Sequence, residues 1–424
     1  MSNNVTIDEI KSVLNKMGEK AVEAAQSLAA MTTEQKNNCL LKMADALEAN
    51  AEEIKEQNSL DLVAGKENGL NDALLDRLKL DDERIKGMAT GLREAAELSD
   101  PVGTVLSESV RPNGLDIKKV SVPIGVIGII YESRPNVTAD AAGLCLKAGN
   151  AVILRGGSEA IHSNLVIAKY LNEAGVAAGL PDGAVQLLPW TDRQAVGVMV
   201  KLDQYINLII PRGGERLIKA VAEQSTIPVI KHYKGLCHLY VDATANKEMA
   251  IATIINSKCQ RPGVCNAIET LLIHKDAAEA FGKDIAEELI KNGVEIRCDE
   301  AFKKYCSEST DVTEDDYNEE YLDLIISVKV VDNVDEAISH INKYGSMHSE
   351  SIITEDAVSA EKFLNLVDAS TVYHNSSTRF TDGGEFGFGA EIGISTDKLH
   401  ARGPMGLVEL TTYKYKVYGT GQIR

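Results

Sequence analysis

The sequence predicts an α/β fold with two doubly wound parallel-sheet domains, an active-site cleft between them, and an additional β-hairpin. From Pro123 onward, short apolar runs alternate with helical patterns, which is typical of a parallel sheet with helices on both faces. A second series of the same kind begins near Gly235 and indicates a second sheet. Within residues 105–122, β-forming residues surround the turn signal Arg111-Pro112-Asn113-Gly114, which predicts the hairpin.

The remaining elements follow from local patterns. Residues 6–99 read as helices, with capping-box patterns at Thr6-x-x-Glu9 and Thr32-x-x-Gln35. The tail, residues 407–424, is rich in β-formers, and we expect it to pair with the hairpin and offer an edge to another subunit. The acidic run at residues 308–320 is predicted to be a solvated loop. The strands predicted for the two sheets are residues 126–130, 151–154, 185–188 and 206–210, then 238–241, 268–273, 324–331, 351–354 and 371–374.

Length and composition exclude several classes of protein. A chain of 424 residues is long enough for two or three domains, each with its own core. The net charge of −19 repels polyphosphates, so a nucleic-acid partner is not expected. No segment offers about 18 uncharged apolar residues, and residues 1–11 lack a basic stretch followed by an apolar run. We therefore expect neither a membrane span nor export.

The cysteines and histidines argue against structural crosslinks and metals. Seven cysteines without a C-x-x-C pair indicate neither a disulfide framework nor a zinc site, and they favour a reducing cytoplasm. The eight histidines show no metal-binding spacing, so no metal is expected. His232 and His238 are interpreted as hydrogen-bonded structural residues.

Two glycine-containing turns follow predicted strands: Arg155-Gly156-Gly157-Ser158 and Pro211-Arg212-Gly213-Gly214. Glycine lets a ligand approach the backbone, and the N–H groups that open the next helix attract anions such as a pyrophosphate. Neither turn matches a dinucleotide or phosphate-loop fingerprint, so a tight turn without a ligand explains them equally well.

Cys265 is the candidate nucleophile. It follows a Pro-Gly turn just before a strand, and the nearby charges of Lys258 and Arg261 would favour its thiolate. Most cysteines are small buried hydrophobes, and Cys39, Cys145 and Cys298 are interpreted in that way. Cys259 is the nearest rival, but it is expected to lie on the preceding helix.

Five segments together resemble the gamma-glutamyl phosphate reductases, also called glutamate-5-semialdehyde dehydrogenases, of the aldehyde dehydrogenase superfamily. The resemblance covers almost the whole chain and is carried by residues 122–136, 147–158, 210–214, 260–266 and 403–407.

The resemblance implies an aldehyde dehydrogenase-like fold and a reaction. The reaction is the NADPH-dependent reduction of L-glutamyl 5-phosphate to L-glutamate 5-semialdehyde with release of phosphate, the second step of proline synthesis. The domains implied are an NADP-binding domain at residues 1–100 and 121–234, a catalytic domain at residues 235–402, and an oligomerisation β element at residues 101–120 and 403–424. A homo-oligomer and an association with glutamate kinase are expected.

The resemblance also assigns roles to residues. It makes Cys265 the nucleophile that forms a thioester, and it makes Asn136 an oxyanion donor beside the Cys265 backbone N–H. Arg155 and Ser158 stand where a 2′-phosphate is tolerated, which favours NADP. Glu320 resembles the glutamate that holds the nicotinamide ribose. The other cofactor contacts implied are Gly156, Gly157, Pro211, Arg212, Gly213 and Gly214, and the substrate contacts are Arg134, Arg379, Phe388 and Gly389, which ordinary surface charge and a glycine-rich loop would also explain.

One departure separates the chain from hydrolytic aldehyde dehydrogenases. Those enzymes activate water with the glutamate of a Glu-Leu-Gly-Gly-Lys motif, whereas residues 231–237 here read Lys-His-Tyr-Lys-Gly-Leu-Cys. An enzyme that hands its thioester to hydride, or in reverse to phosphate, gains by not hydrolysing it. A broad-specificity or CoA-acylating aldehyde dehydrogenase and a non-catalytic scaffold of the same fold stay open as alternatives.

Overall fold

The computed structural model describes residues 6–389 and 391–424, which form two compact units. The first comprises the described chain up to Lys231 together with Gly387–Gly393 and Met405–Arg424. The second comprises His232–Phe386 and Ile394–Pro404. Residues 1–5 of the predicted cofactor domain and Ala390 of the predicted catalytic domain lie outside the described residues.

All nine strands predicted for the two sheets form, with ends that differ by at most two residues. The strands in chain order are β1 (Val105–Val110), β2 (Asp116–Pro123), β3 (Val126–Tyr131), β4 (Ala151–Arg155), β5 (Val185–Leu187), β6 (Leu208–Arg212), β7 (Cys237–Val241), β8 (Ile268–His274), β9 (Glu295–Cys298), β10 (Thr310–Asp311), β11 (Ile325–Val331), β12 (Ser349–Ile353), β13 (Thr371–His374), β14 (Gly393–Ser395), β15 (Gly403–Met405) and β16 (Thr411–Tyr418).

Helices separate most of the strands, as the alternating pattern predicts. They are α1 (Ile7–Leu28), α2 (Thr33–Ala49), α3 (Ala51–Glu67), α4 (Asp72–Leu78), α5 (Asp82–Glu97), α6 (Val137–Lys147), α7 (Ile161–Ala177), α8 (Arg193–Met199), α9 (Glu215–Gln224), α10 (Lys247–Cys259), α11 (Lys275–Lys291), α12 (Glu300–Lys303), α13 (Val334–Tyr344) and α14 (Ala357–Leu366).

The first unit contains a parallel sheet of order β5-β4-β3-β6. Strands β3 and β4 are buried along their whole length, which explains why their sequences are continuous apolar runs. Because β3 lies between β4 and β6, the carboxyl ends of these three strands meet at one edge of the sheet. Both predicted capping boxes are present, at Thr6 before α1 and at Thr32 before α2.

The predicted hairpin and its pairing with the tail are confirmed. Strands β1, β2 and β16 form an antiparallel sheet with β2 in the centre. The turn closes where Gly114 N–H donates to the Arg111 carbonyl at 2.8 Å. The side chains of the outer strands β1 and β16 are mostly exposed. An exposed edge of this kind is a template for pairing with another chain.

The second unit contains a seven-stranded parallel sheet of order β10-β9-β11-β8-β7-β12-β13. Both faces of this sheet are buried, because neighbouring residues of one strand pack in different cores. Leu239 of β7 packs in a core with α10 and α11, while Tyr240 packs in a core with α13 and α14. This is the doubly wound arrangement that the sequence predicts.

The expectation that residues 308–320 form a solvated loop is confirmed for most of the segment, which is exposed, but not for two of its residues. Asp316 and Tyr317 are buried in this segment. Burial raises the pKa of Asp316, but hydrogen bonds from Thr313 and Arg297 outweigh it and hold that pKa well below its ordinary value. Arg297 Nη1 lies 2.7 Å from the Asp316 carboxylate. Acidic composition alone did not reveal a buried carboxylate whose basic partner lies 19 residues away.

A buried ion pair joins α10 to β8, the two elements on either side of the turn that carries the candidate nucleophile. Lys258 Nζ lies 2.5 Å from Glu269 Oε2, and the two side chains are 0% and 2% exposed. Burial raises the pKa of Glu269 and lowers that of Lys258, because both charges have left water. Each charge therefore depends on the other.

Glu269→Gln is expected to lower stability by about 3–5 kcal/mol, because it leaves the Lys258 ammonium buried without a counter-ion. The measurement is the thermal unfolding midpoint at pH 7. The control is Asp332→Asn, which removes an exposed ion pair to Lys275 in the same unit and is expected to change the midpoint little. Equal shifts in the two variants would contradict this account.

Candidate active site

Cys265 lies on a turn between α10 and β8. We call residues 260–266 the cysteine turn. The Cys265 side chain is half-buried. A nucleophile needs such partial exposure, because the substrate must reach its sulfur from solvent. Cys259 is the last residue of α10, as predicted, and burial raises the pKa of its thiol. The rival thiol is therefore held in its protonated, less reactive form.

Arg379, predicted to bind substrate, lies against the cysteine turn. Its Nε donates to Gln260 Oε1 at 2.9 Å, and its Nη1 donates to Asn266 Oδ1. Burial lowers the pKa of Arg379 and Arg261 lowers it further, whereas charges on Asp382 and Cys265 oppose the shift. An arginine guanidinium is not deprotonated in proteins. The turn therefore holds a fixed positive charge in electrostatic range of the Cys265 sulfur.

Asn266, the residue after the nucleophile, is fixed by the segment that carries Arg379. Asn266 Nδ2 donates to the Thr381 carbonyl at 2.9 Å. The Thr378 hydroxyl donates to the Asn266 carbonyl at 2.7 Å. The sequence analysis missed both threonines, because a hydrogen bond between positions more than 100 residues apart leaves no local pattern.

The segment Gly235 to Cys237, which we call the platform, supports Cys265 from the other side. A Cβ on Gly235 would overlap the backbone of Cys265, so only glycine fits there. Gly235 N–H donates to Glu320 Oε1 and Leu236 N–H to Ser346 Oγ, each at 2.9 Å. Glu320, predicted to hold the nicotinamide ribose, thus contacts the backbone that packs on the nucleophile.

The predicted cofactor residues other than Glu320 meet at one sheet edge of the first unit. Arg155 ends β4 and pairs with Ile130 of β3, while Arg212 ends β6 and pairs with Tyr131 of β3. The turns at residues 155–158 and 211–214 are therefore neighbours. Asn136 and Arg134 follow β3 at the same edge, on the exposed loop before α6.

Two carboxylates occupy these turns. Glu132 Oε2 accepts from Gly214 N–H at 3.0 Å. Glu159 Oε1 accepts from the backbone N–H and the hydroxyl of Ser133, at 2.5 and 2.8 Å. Ser133 has a φ of 39°, a left-handed conformation that these two hydrogen bonds stabilise. The sequence analysis did not consider Glu132, although its place directly after a buried strand was the available signal.

The same turns offer features that fit a dinucleotide. A Cβ on Gly214 would meet open space, whereas one on Gly156 would overlap Asn164. Asn164 Nδ2 and Arg155 Nε are buried donors that have no hydrogen-bond partner in the described structure. The Arg155 guanidinium is otherwise held by the Thr191 carbonyl, 2.6 Å from Nη2, and burial lowers the pKa of Arg155. Unused donors beside glycine turns suit an anionic, phosphate-bearing group.

The remaining predicted catalytic and substrate-binding residues, Asn136, Phe388 and Gly389, belong to the first unit. Asn136 is exposed, and its Nδ2 donates to Asp140, whose pKa is raised by burial to about 6. Gly389 has a φ of 76° and packs on Leu98. Phe388 is 37% exposed and packs on Gly406. Among the predicted substrate residues, Arg379 is the one that the second unit holds beside Cys265.

In residues 6–389 and 391–424, no group of three or more His, Cys, Asp or Glu side chains is arranged to hold a metal ion. None of the helices described combines the length and apolar character that crossing a membrane requires.

Comparison with known proteins agrees with the fold. The model of the aldehyde dehydrogenase family matches residues 6–303, and the chain belongs to that family. Members of this family are oxidoreductases that use a nicotinamide cofactor.

The chain is similar over almost its whole length to gamma-glutamyl phosphate reductases. The chain is 59% identical to the enzyme of that name from Caldanaerobacter subterraneus subsp. tengcongensis, over 96% of this chain and 98% of that one. It is 53% identical to the one from Clostridium tetani, over 99% and 100% of the two chains. The crystal structure of the Thermotoga maritima enzyme has a TM-score of 0.95 at 49% identity, over 97% and 99%. The resemblance read from the sequence is confirmed.

Gly235→Ala is expected to lower kcat on the order of 100-fold, because a new Cβ displaces the Cys265 backbone and misplacing a reacting group has that kind of effect. The measurement is steady-state turnover of the oxidoreductase, with circular dichroism to establish folding. Gly87→Ala is the control, since a Cβ there meets open space in α5. A folded Gly235→Ala enzyme with full kcat would show that the platform does not set the nucleophile's position.

Proposed function

We propose that the chain catalyses the NADPH-dependent reduction of L-glutamyl 5-phosphate to L-glutamate 5-semialdehyde, with release of phosphate, through a thioester on Cys265. The observation that carries the proposal is the cysteine turn, where a half-buried thiol and the Arg379 guanidinium are held together by Gln260 and Asn266. The relatives' name supplies the substrate class.

The first step is the displacement of phosphate. The Cys265 thiolate attacks the acyl carbon, a C–S bond forms, and the C–O bond to phosphate breaks with its electron pair leaving on phosphate. The positive charge of Arg379 favours the thiolate before the attack and the phosphate dianion as it departs. The enzyme is left as a thioester.

Both tetrahedral species carry an oxyanion that needs preorganised donors. The Cys265 backbone N–H is one, and we propose the Asn136 amide as the second. Loss of one such donor costs roughly 3–4 kcal/mol in known enzymes. In this structure Asn136 Nδ2 donates to Asp140, so Asp140 fixes the amide's orientation.

A bound nicotinamide dinucleotide supplies the hydride. We propose that the turns at residues 155–158 and 211–214 hold its phosphates, that Glu320 holds the nicotinamide ribose, and that Arg155 and Ser158 favour NADP. Reduction turns the Cys265 thioester into a thiohemiacetal anion. Its collapse breaks the C–S bond, releases the aldehyde and returns the Cys265 thiolate. We propose Arg134, Phe388 and Gly389 as further contacts of the substrate.

The side chains near Cys265 protect the thioester from hydrolysis. Residues 231–237 contain no Asp or Glu, and the nearby Glu320 carboxylate accepts a hydrogen bond from Gly235 N–H. A carboxylate committed to a backbone donor is a poor base for activating water. The acyl group is therefore passed to hydride or, in reverse, to phosphate.

We also propose the setting in which the enzyme works. The exposed outer strands β1 and β16 suit a homo-oligomer built through the antiparallel sheet. Transfer of an unstable acyl phosphate favours an association with glutamate kinase. A reactive thiol and a reduced cofactor suit the cytoplasm.

The test is NADP reduction by the purified protein with glutamate 5-semialdehyde, with and without inorganic phosphate. We expect turnover that requires phosphate, is faster with NADP than with NAD, and falls at least 1,000-fold in Cys265→Ala, since the covalent route is lost. Cys259→Ala is the matched control and retains activity.

The other outcomes assign other functions. Turnover without phosphate indicates hydrolytic aldehyde oxidation, and turnover that requires CoA instead indicates an acylating dehydrogenase. A wild-type protein that is inactive under every condition favours the scaffold.

A further inference from the structure

A second cysteine touches the nucleophile's backbone. Cys237, the first residue of β7, is fully buried in the core of the second unit. Its thiol donates to the Cys265 carbonyl oxygen, with the Sγ and O atoms 3.1 Å apart. The mechanism above gives this thiol no role.

Cys237 is part of a ring of hydrogen-bonding groups that begins and ends at the cysteine turn. Its Sγ lies 3.6 Å from His348 Nδ1, which lies 2.9 Å from Ser349 Oγ. Ser349 Oγ donates to Thr381 Oγ1 at 2.6 Å. The Thr381 carbonyl accepts from the Asn266 amide, and Asn266 adjoins Cys265. We call these groups the cysteine ring: Cys237, His348, Ser349, Thr381 and Asn266.

The protonation states of Cys237 and His348 determine which groups of the ring donate hydrogen bonds and whether the ring carries charge. Burial raises the pKa of Cys237 well above its ordinary value, so the S–H remains available to donate. Burial lowers the pKa of His348 to about 3, so the imidazole is neutral. Because the Ser349 hydroxyl donates to Thr381 and the Cys237 S–H donates to Cys265, the single Nδ1–H of His348 is shared. It donates to Ser349 Oγ at 2.9 Å and, more weakly, to Cys237 Sγ at 3.6 Å. The ring thus adds no charge that competes with Arg379 for the Cys265 thiolate.

We propose that Cys237 is a positioning residue for Cys265, and that its thiol, backed by His348, fixes the carbonyl of the nucleophile and with it the direction of the Cys265 side chain and N–H. This inference rests on the proposed function in one respect: Cys265 is the nucleophile. Gly235 limits how closely the turn approaches the platform, whereas Cys237 sets how the turn is oriented. A thiol is a weak donor, so its contribution lies in orientation more than in bond strength.

The first test compares the kinetics of three variants. Cys237→Ala is expected to lower kcat about tenfold with the KM for aldehyde and for phosphate within twofold. Cys237→Ser keeps a donor and is expected to recover most of kcat. Cys298→Ala is the control, because Cys298 is another buried thiol of the same core, donating to Ser309 Oγ at 3.0 Å, and it should retain full kcat.

The second test does not depend on the reaction. Iodoacetamide labelling of Cys265 at pH 8, followed by mass spectrometry of its peptide, is expected to slow at least threefold in Cys237→Ala. Ser349→Ala, which breaks the ring at a hydroxyl, should slow it in the same direction. These rates report the ring even if glutamate 5-semialdehyde is not the substrate.

The inference is overturned by any of three results. The first is a folded Cys237→Ala enzyme with wild-type kcat and labelling rate. The second is Cys237→Ser behaving no better than Cys237→Ala. The third is an equal loss of kcat in Cys298→Ala, which would mean that removing any thiol from this core lowers kcat by loosening the packing.

Discussion

The close packing of Gly235 on the backbone of Cys265 is the constraint on which the site depends. It leaves no space for a Cβ, so the cysteine turn sits where the platform puts it. The platform in turn is held by hydrogen bonds to Glu320 and Ser346. A nucleophile on a turn is otherwise free to move, and misplacement of about 1 Å can cost 100-fold in rate.

The groups around Cys265 differ in charge. Arg379 brings a positive charge to the thiol, whereas Cys237 and His348 stay neutral because burial disfavours their charged forms. The ion pair of Lys258 and Glu269 anchors the end of α10 in the core. Charge is therefore concentrated where the acyl phosphate is proposed to react, and the supporting contacts are neutral or paired.

The sequence predicted features that arise locally and missed those that arise from long-range packing. Alternating apolar runs located the nine strands of the two series, and the Pro-Gly turn before Cys265 identified the candidate nucleophile. The burial of Asp316 was not predictable from its acidic neighbours, because its partner Arg297 lies on strand β9, 19 residues away in sequence. The contact of Cys237 with Cys265 joins positions 28 residues apart and carries no motif.

In the proposed mechanism, Cys265 forms a thioester that reacts with hydride or phosphate and not with water. A rapid-mixing measurement tests it directly: enzyme at substrate-level concentration, NADP and glutamate 5-semialdehyde, without phosphate. We predict a burst of about one NADPH for each Cys265, then negligible turnover until phosphate is added, because no activated water cleaves the thioester. Steady NADPH formation without phosphate, or the absence of any burst in an enzyme that is active with phosphate, would contradict it.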